Sequence, residues 1–145
     1  MIDFKSILDG LEHILRLNLT GYTITRNEPR NNDASVAAKG KGWIGIYRGN
    51  MTYDVARIGA TPWRVAIETK VEIQCASARS GEDAEARLQT AETEVLTVLH
   101  NNKKINNTVE MTHGFDIAYE YNDTIEDMYH LAAIITIRSE KQTGG

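Results

Sequence analysis

The segment Trp63–Ala78 constrains the fold most, because apolar and polar residues alternate along it. One parity is apolar apart from Thr69, which places its side chains on one face of a pleated strand. The pattern predicts a half-buried strand about 40 Å long at about 3.3 Å per residue. Such a strand belongs to an antiparallel or mixed sheet with one wet face. The polar parity consists of Arg64, Glu68, Lys70, Glu72 and Gln74.

Two amphipathic helices are predicted from apolar residues that recur at intervals of three and four. The first spans Ile2–Arg16 and contains Gly10, which costs about 1 kcal/mol relative to alanine and therefore indicates a close packing contact. The second spans Ser80–His100. Ser80 is positioned to cap it, and acids follow in the first turn, where the helix dipole favours them.

The other segments predict strands, a hairpin and loops. Alternation predicts strands at Leu17–Thr25, Thr108–Tyr121 and Tyr129–Arg138. Two short strands, Trp43–Arg48 and Thr52–Ile58, flank the turn signal Gly49-Asn50 and predict a projecting hairpin over residues 43–58. Three segments lack periodicity. We predict a long flexible loop over residues 27–42, a short acidic connector at Asn122–Asp127 and a frayed tail over residues 140–145.

These elements predict a single α+β domain over residues 1–145. Its core would be an antiparallel or mixed sheet with two helices packed on one face, together with the projecting β-hairpin, since each helix has one apolar stripe and the sheet has one clearly apolar face. The composition, 41% hydrophobic and 25% charged, is typical of soluble globular proteins. No run suggests a membrane span or a signal peptide, so we expect a cytosolic chain without a membrane partner.

No arrangement of residues in the sequence predicts catalysis. Cys75 lies on the apolar parity of its strand and is expected to be a buried, inert thiol. The four histidines lie on different elements without a ligand spacing, and Ser80 is explained by its capping position. We therefore expect no enzyme activity, no cofactor and no metal site.

Charge is distributed unevenly along the chain. Between Arg26 and Arg64 seven basic and three acidic residues give a net charge of +4. Because the whole chain has a net charge of −4, the rest of the chain carries −8. This polarity suits a subunit that associates head to tail, or it is ordinary scatter of solvated charge. Basic and aromatic residues in this segment are also a pattern for stacking on nucleic acid. The acidic overall charge favours aromatics that cover the hairpin or contact a neighbouring subunit.

The order of the elements resembles the tail terminator proteins of long-tailed bacteriophages, also called tail-completion or minor tail proteins. The resemblance lies in an N-terminal amphipathic helix, a strand, a loop with a projecting hairpin, the long strand Trp63–Ala78, the capped helix Ser80–His100 and two closing strands. It covers nearly the whole chain and rests on architecture, without a short motif.

This resemblance implies a structural virion protein. It would form a hexameric ring that caps the completed tail tube and offers the head-docking surface for head–tail joining. Its partners would be copies of itself, the tail tube protein and the head–tail connector proteins. DNA would pass through the ring without sequence-specific binding, along a wall that tends to be acidic. The protein would be assembled in the host cytoplasm and reside at the head-proximal end of the virion tail.

Two groups of residues are candidates for this role. The loop and hairpin would supply subunit or tube contacts through Arg30, Lys39, Lys41, Trp43, Tyr47, Arg48 and Tyr53. The acidic lining of the lumen, or an acidic interface, would come from Asp116, Glu120, Asp123, Glu126 and Asp127.

Two other functions remain open. One is a small-molecule-binding or catalytic α+β domain that dimerises through its sheet, with a pocket between the helices and the long strand. Thr69 and His113 are the polar residues within the apolar stripes that such a site would use. The other is a different phage neck or connector component of related topology.

Overall fold

The computed structural model describes residues 2–26, 34–53, 63–125 and 127–143, with the backbone alone at 63, 122–125 and 143. Within these ranges the chain forms a mixed five-stranded sheet and three helices, so the predicted α+β class is confirmed. The elements in chain order are α1 (Phe4–Asn18), β1 (Tyr22–Thr25), α2 (Ala34–Ala38), β2 (Gly42–Tyr53), β3 (Trp63–Ser77), α3 (Gly81–His100), β4 (Met111–Ile125) and β5 (Met128–Thr143).

The long strand predicted first, β3, lies at the centre of the sheet. The strand order is β1-β2-β3-β5-β4, with β1 parallel to β2 and the other neighbours antiparallel. β3 pairs with β5 over its whole length, from Trp63 opposite Thr143 to Ser77 opposite Tyr129. Because β3 has a strand on both sides, its alternation translates directly into two faces of the sheet.

The apolar parity of β3 faces α1 and α3, and we call this side the helix face. Ile73 on β3 lies between Ile44 on β2 and Ala133 on β5, and all three belong to the core that α1 and α3 cover. Leu11 of α1 and Val95 of α3 are fully buried in the same cluster. The prediction of two helices on one face is confirmed for these two helices.

The sequence did not predict α2, which packs on the other side of the sheet, here called the opposite face. Its Ala34 and Ala37 are fully buried against Ala76, which alternates with the core residue Cys75 along β3. α2 occupies part of the segment predicted to be a long loop. Its five residues are too few to show the apolar stripe of a longer helix.

The predicted hairpin with its turn at Gly49-Asn50 is wrong. β2 runs unbroken through this dipeptide, and the register shifts between Arg48 and Met51, which marks a β-bulge. A Cβ atom at Gly49 would lie 3.0 Å from the carbonyl oxygen of Glu68, so glycine permits the close approach of the two strands. The predicted second hairpin strand lies largely outside the described residues.

The acidic connector and the frayed tail are also wrong for the residues that the structure describes. β4 continues to Ile125 and pairs with Met128 at the start of β5, so a tight turn replaces the connector. Asp127 in this turn has a φ of 62°, in the left-handed region. At the other end β5 continues to Thr143, because the long β3 supplies a pairing partner for every residue of the predicted tail up to that point.

The close contact predicted at Gly10 is confirmed. A Cβ atom there would lie 2.8 Å from the carbonyl oxygen of Ile105 and 3.0 Å from the Cγ2 atom of Thr108. These residues belong to the connection between α3 and β4, in which Ile105, Asn106 and Asn107 adopt positive φ angles. Glycine therefore lets α1 approach this backbone directly.

Candidate assembly surfaces

The residues predicted to make subunit or tube contacts lie mostly on β2 and divide between its two sides. Arg30 lies outside the described residues. Lys39 is exposed in the turn after α2. The remaining five separate into Trp43 and Tyr47 on the opposite face and Lys41, Arg48 and Tyr53 on the side of the helices. The structure therefore does not bring these residues together into one patch.

The two aromatics on the opposite face make hydrogen bonds within the subunit. The indole nitrogen of Trp43 donates to Oγ1 of Thr25 at 3.1 Å, and the Tyr47 hydroxyl donates to Oε1 of Glu72 at 3.0 Å. Both side chains are half-buried. Replacing either by alanine would therefore disturb the monomer as well as any contact with a neighbour.

Lys41 is held by the helix side of the molecule. Its Nζ lies 3.1 Å from Oε1 of Glu94 on α3 and 5.7 Å from the ring centroid of Tyr22. The Tyr22 hydroxyl donates to Oε2 of the same carboxylate. The pKa of Glu94 is lowered mainly by this hydrogen bond and to a smaller extent by the one from Lys41. The pKa of Tyr22 is raised mainly by burial and to a smaller extent by its contact with Glu94. Lys41 thus links β2 to α3 within one subunit.

Arg48 presents its charge differently. Its guanidinium lies 4.4 Å from the ring centroid of Phe4, and the side chain is exposed. Among the described residues no carboxylate forms an ion pair with it. Tyr53, further along β2, packs against the core and is half-buried. Among the described members of the predicted group, Lys39 and Arg48 are therefore the exposed cations that form no ion pair with another described residue.

Other basic residues of the positive segment are neutralised by acids distant in the sequence. Arg26 pairs with Asp9 and, at 3.1 Å, with Glu12, both on α1, and hydrogen bonding to Asp9 is the main cause that raises its pKa. Arg64 pairs with Glu140 at 2.7 Å. Folding therefore compensates much of the charge polarity that is visible along the chain.

The predicted acidic residues lie along β4 and its turn. Asp116 and Glu120 are exposed and point to the opposite face. Asp116 pairs with Arg138 at 2.8 Å. Asp127 is exposed in the turn, whereas the side chains of Asp123 and Glu126 lie outside the described residues. The three acids whose side chains are described, Asp116, Glu120 and Asp127, lie along the edge strand and its turn and do not converge on a pocket.

A buried polar cluster on the opposite face was missed by the sequence analysis. Gln74 and His130 are fully buried, and Glu72 is 4% exposed. The side-chain nitrogen Nε2 of Gln74 lies 2.6 Å from Oε2 of Glu72, and Nε2 of His130 lies 2.9 Å from Oε1 of Gln74. With Tyr47 these residues form a chain of hydrogen bonds across β2, β3 and β5.

The direction of these hydrogen bonds follows from the Glu72 carboxylate, which only accepts when ionised. Gln74 must present its NH₂ group to Glu72, so its carbonyl oxygen faces His130 and Nε2 of His130 carries a proton. Burial lowers the pKa of His130 and so favours the neutral ring. A histidine within an otherwise apolar strand was the signal available in the sequence.

The edge strand β4 carries two exposed aromatic side chains on the helix face. Tyr119 and Tyr121 are 46% and 63% exposed, and their ring centroids are 6.4 Å apart with an interplanar angle of 28°. The Tyr119 hydroxyl donates to Oε1 of Glu92 on α3 at 2.6 Å, which is the main cause that raises its pKa to about 12. We call this pair the tyrosine edge.

Described residues line grooves on the surface, among them one of about 360 Å³ that includes His113 and Arg138 and one of about 380 Å³ beside the connection between α3 and β4. A groove of about 260 Å³ lies between α3 and the turn before β2, and is lined by Tyr22, Gly40, Lys41, Ala86, Arg87 and Thr90. Arg87 donates from Nη2 to the carbonyl oxygens of Ala38 and Gly40 at 3.1 and 2.7 Å. No group of three or more His, Cys, Asp or Glu side chains in the described part of the chain is arranged to hold a metal ion.

Cys75 has the environment expected of a structural thiol. It is fully buried, burial raises its pKa to about 12, and its sulfur lies 3.6 Å from the carbonyl oxygen of Lys41. Within the described ranges, none of the helices combines the length and the apolar character needed to span a membrane.

Comparison with known proteins gives no family. No family model and no curated protein matches the chain. Among solved structures, a chain of the "Virion of native gene transfer agent (GTA) particle" is similar, with 9% sequence identity and a TM-score of 0.33 over 92% of this chain and 91% of that chain. A likeness of this size carries no argument about function.

Proposed function

We propose that the chain is a structural virion protein, a tail terminator that forms a ring on the completed tail tube of a long-tailed bacteriophage and provides the head-docking surface. The observation that carries the proposal is an open sheet with two unlike edges. The order of β3, the capped helix α3 and two closing strands agrees with that part of the resemblance, whereas the projecting hairpin with its turn at Gly49-Asn50 is not formed. The role requires no catalysis.

The two edges of the sheet differ in length and composition. β4 forms one edge with 15 residues and is paired only with β5 among the described strands. At the other edge the short β1 covers Gly42–Gly45 of β2, so no described strand lies beside Ile46–Tyr53. Contacts between unlike edges are heterologous, and heterologous contacts close into rings when the rotation per subunit allows it.

The proposed partners follow from this role. Six copies would form the ring, one side of which meets the tail tube protein and the other the head–tail connector proteins. Glu120 on the opposite face of β4 would suit the wall of a lumen, because acidic side chains repel phosphates and let DNA pass without binding, whereas the charge of Asp116 is compensated by Arg138. The ring would lie at the head-proximal end of the virion tail, after assembly in the host cytoplasm.

The experiment that tests the proposal measures assembly directly. Purified protein is studied across a concentration series by light scattering after size exclusion, and the assembled fraction is imaged by negative stain. We expect rings with a central hole that accumulate as the concentration rises. A compact two-fold dimer that does not grow at any concentration would contradict the proposal, because it indicates an isologous contact.

A second measurement addresses the lumen. Fluorescence anisotropy of labelled double-stranded DNA should show no binding to the rings at physiological salt, and no change when the DNA sequence is altered. Tight binding with a steep salt dependence would indicate a basic phosphate-binding surface instead.

A further inference from the structure

We propose that the tyrosine edge of one subunit pairs with the outer side of β2 in a second copy, so that Tyr119 and Tyr121 meet Arg48 and Met51 of that copy. This inference rests on the proposed ring and names its contact. The occupant of each edge is thus another copy of the same chain. The four side chains would lie on one continuous helix face spanning both subunits.

The first argument is the regularity of the β4 edge. Between its two bulges β4 keeps an unbroken register with β5, from Gly114 opposite Arg138 to Asn122 opposite His130. Its outer side therefore presents a regular row of backbone N–H and C=O groups. Unpaired edge strands are usually protected by charged side chains, especially lysine, or by proline or bulges; this stretch carries Asp116 and Glu120 but neither lysine nor proline.

The second argument is the chemistry of the tyrosine edge. The two stacked rings are 46% and 63% exposed, and the Glu92 carboxylate lies against the hydroxyl of Tyr119. A ring face next to a carboxylate favours a guanidinium, which stacks on aromatic rings and pairs with acids. Interface anchors of other proteins are enriched in tyrosine and arginine for the same reasons.

The third argument is what the other edge carries. Arg48 and Met51 flank the β-bulge in the outer half of β2 beyond β1, and the register shift of the bulge places both on the helix face like the tyrosines. Arg48 is exposed with no ion-pair partner among the described residues, and Met51 is 40% exposed. We call these two residues the arginine edge. The tyrosine edge, with Glu92 of α3 beside it, thus complements the arginine edge.

The test uses one variant for each edge. Tyr121→Arg places a cation on the tyrosine edge, and Arg48→Glu places an acid on the arginine edge. For each variant alone, the concentration needed for self-association should rise at least tenfold, so that the variant stays monomeric where the unmodified protein assembles. An equimolar mixture should associate again, because one contact joins an intact tyrosine edge to an intact arginine edge and the other sets the introduced cation opposite the introduced acid. Analytical ultracentrifugation measures all three samples.

Two control variants match these changes away from the edges. Leu17→Arg alters an exposed apolar side chain near the end of α1, and Lys103→Glu reverses an exposed charge after α3. Both should assemble like the unmodified protein, and circular dichroism should show that all four variants are folded.

The outcomes separate this inference from the proposed function. If the unmodified protein forms rings and either edge variant also does so, or the mixed variants stay monomeric, the inference is overturned while the ring remains. If the unmodified protein forms no assembly at any concentration, the proposed function and the inference are both overturned.

Discussion

Nε2 of His130 lies 2.9 Å from Oε1 of Gln74, and both side chains are fully buried on the face of the sheet opposite α1 and α3. Gln74 extends the contact to Glu72, which also accepts from Tyr47. A buried polar chain of this kind stabilises the fold only while its members remain hydrogen-bonded, because an orphaned polar group pays its full desolvation cost. The cluster therefore fixes the relative positions of β2, β3 and β5.

Gln74→Ala should destabilise the monomer by about 2 kcal/mol, because it leaves the Glu72 carboxylate and the His130 ring without the partner between them. Urea denaturation followed by circular dichroism measures the free energy of unfolding. The midpoint should fall with little change in the slope.

The control for this prediction is Gln89→Ala, at an exposed position of α3. It should change the free energy of unfolding by less than about 0.5 kcal/mol. An equally small effect at Gln74 would show that the polar chain contributes nothing measurable.

Stability should fall as the pH drops from about 7.5 to about 5.5. Burial lowers the pKa of His130 below its usual value of 6.5, so the unfolded chain binds more protons than the folded one in this range. The stabilisation is complete above the unfolded pKa and is lost as the pH falls through the folded pKa. The acids with lowered pKa values, such as Asp9 and Glu94, change the stability only at lower pH, where carboxylates are protonated. Urea denaturation at several pH values measures the slope of the free energy of unfolding against pH.

His130→Asn should remove most of this slope, whatever its effect on stability at neutral pH. His100→Asn, at the exposed end of α3, is the matched exchange that leaves the buried His130 ring in place. A slope that survives in His130→Asn would assign the pH dependence to other groups.

The elements that periodicity predicted well are those with one-sided burial. α1, α3 and the first half of β3 each bury one stripe, so a helical repeat or alternation is visible in the sequence, whereas residues 71–77 of β3 are buried on both faces. α2 was missed because five residues show no repeat. Gly49-Asn50 was misassigned because glycine serves a turn and a bulge equally, and the choice depends on the partner strand.

The candidate surfaces were less accessible to sequence analysis, because register and tertiary pairing decide them. The positive segment pairs with acids far away in the chain, as Lys41 does with Glu94. Glu72 was placed correctly on the polar parity of β3, but its burial beside Tyr47 depends on the register with β2. The position of β4 at the edge also follows from strand order, which local patterns do not contain.

Gly10→Ala should destabilise the protein by about 1–3 kcal/mol, although alanine favours a helix over glycine by about 1 kcal/mol. The new methyl group would lie 2.8 Å from the backbone oxygen of Ile105, and backbone cannot rotate away as a side chain can. Ala86→Gly, the reverse exchange at an exposed position of α3, should cost about 1 kcal/mol from propensity alone. A more stable Gly10→Ala protein would refute the close contact.

Ser80→Ala should cost about 1 kcal/mol, because the Ser80 hydroxyl accepts a 3.0 Å hydrogen bond from the backbone N–H of Asp83 and thereby caps α3. Ser80→Gly should cost only a few tenths of a kcal/mol, since glycine is itself tolerated at this position. The thermal midpoint and urea denaturation of the two variants give the comparison. The order alanine below glycine below serine is the signature of a helix cap. If both variants unfold at the midpoint of the unmodified protein, the hydrogen bond to Asp83 does not contribute to stability, and the start of α3 is held by the packing of its first turn alone.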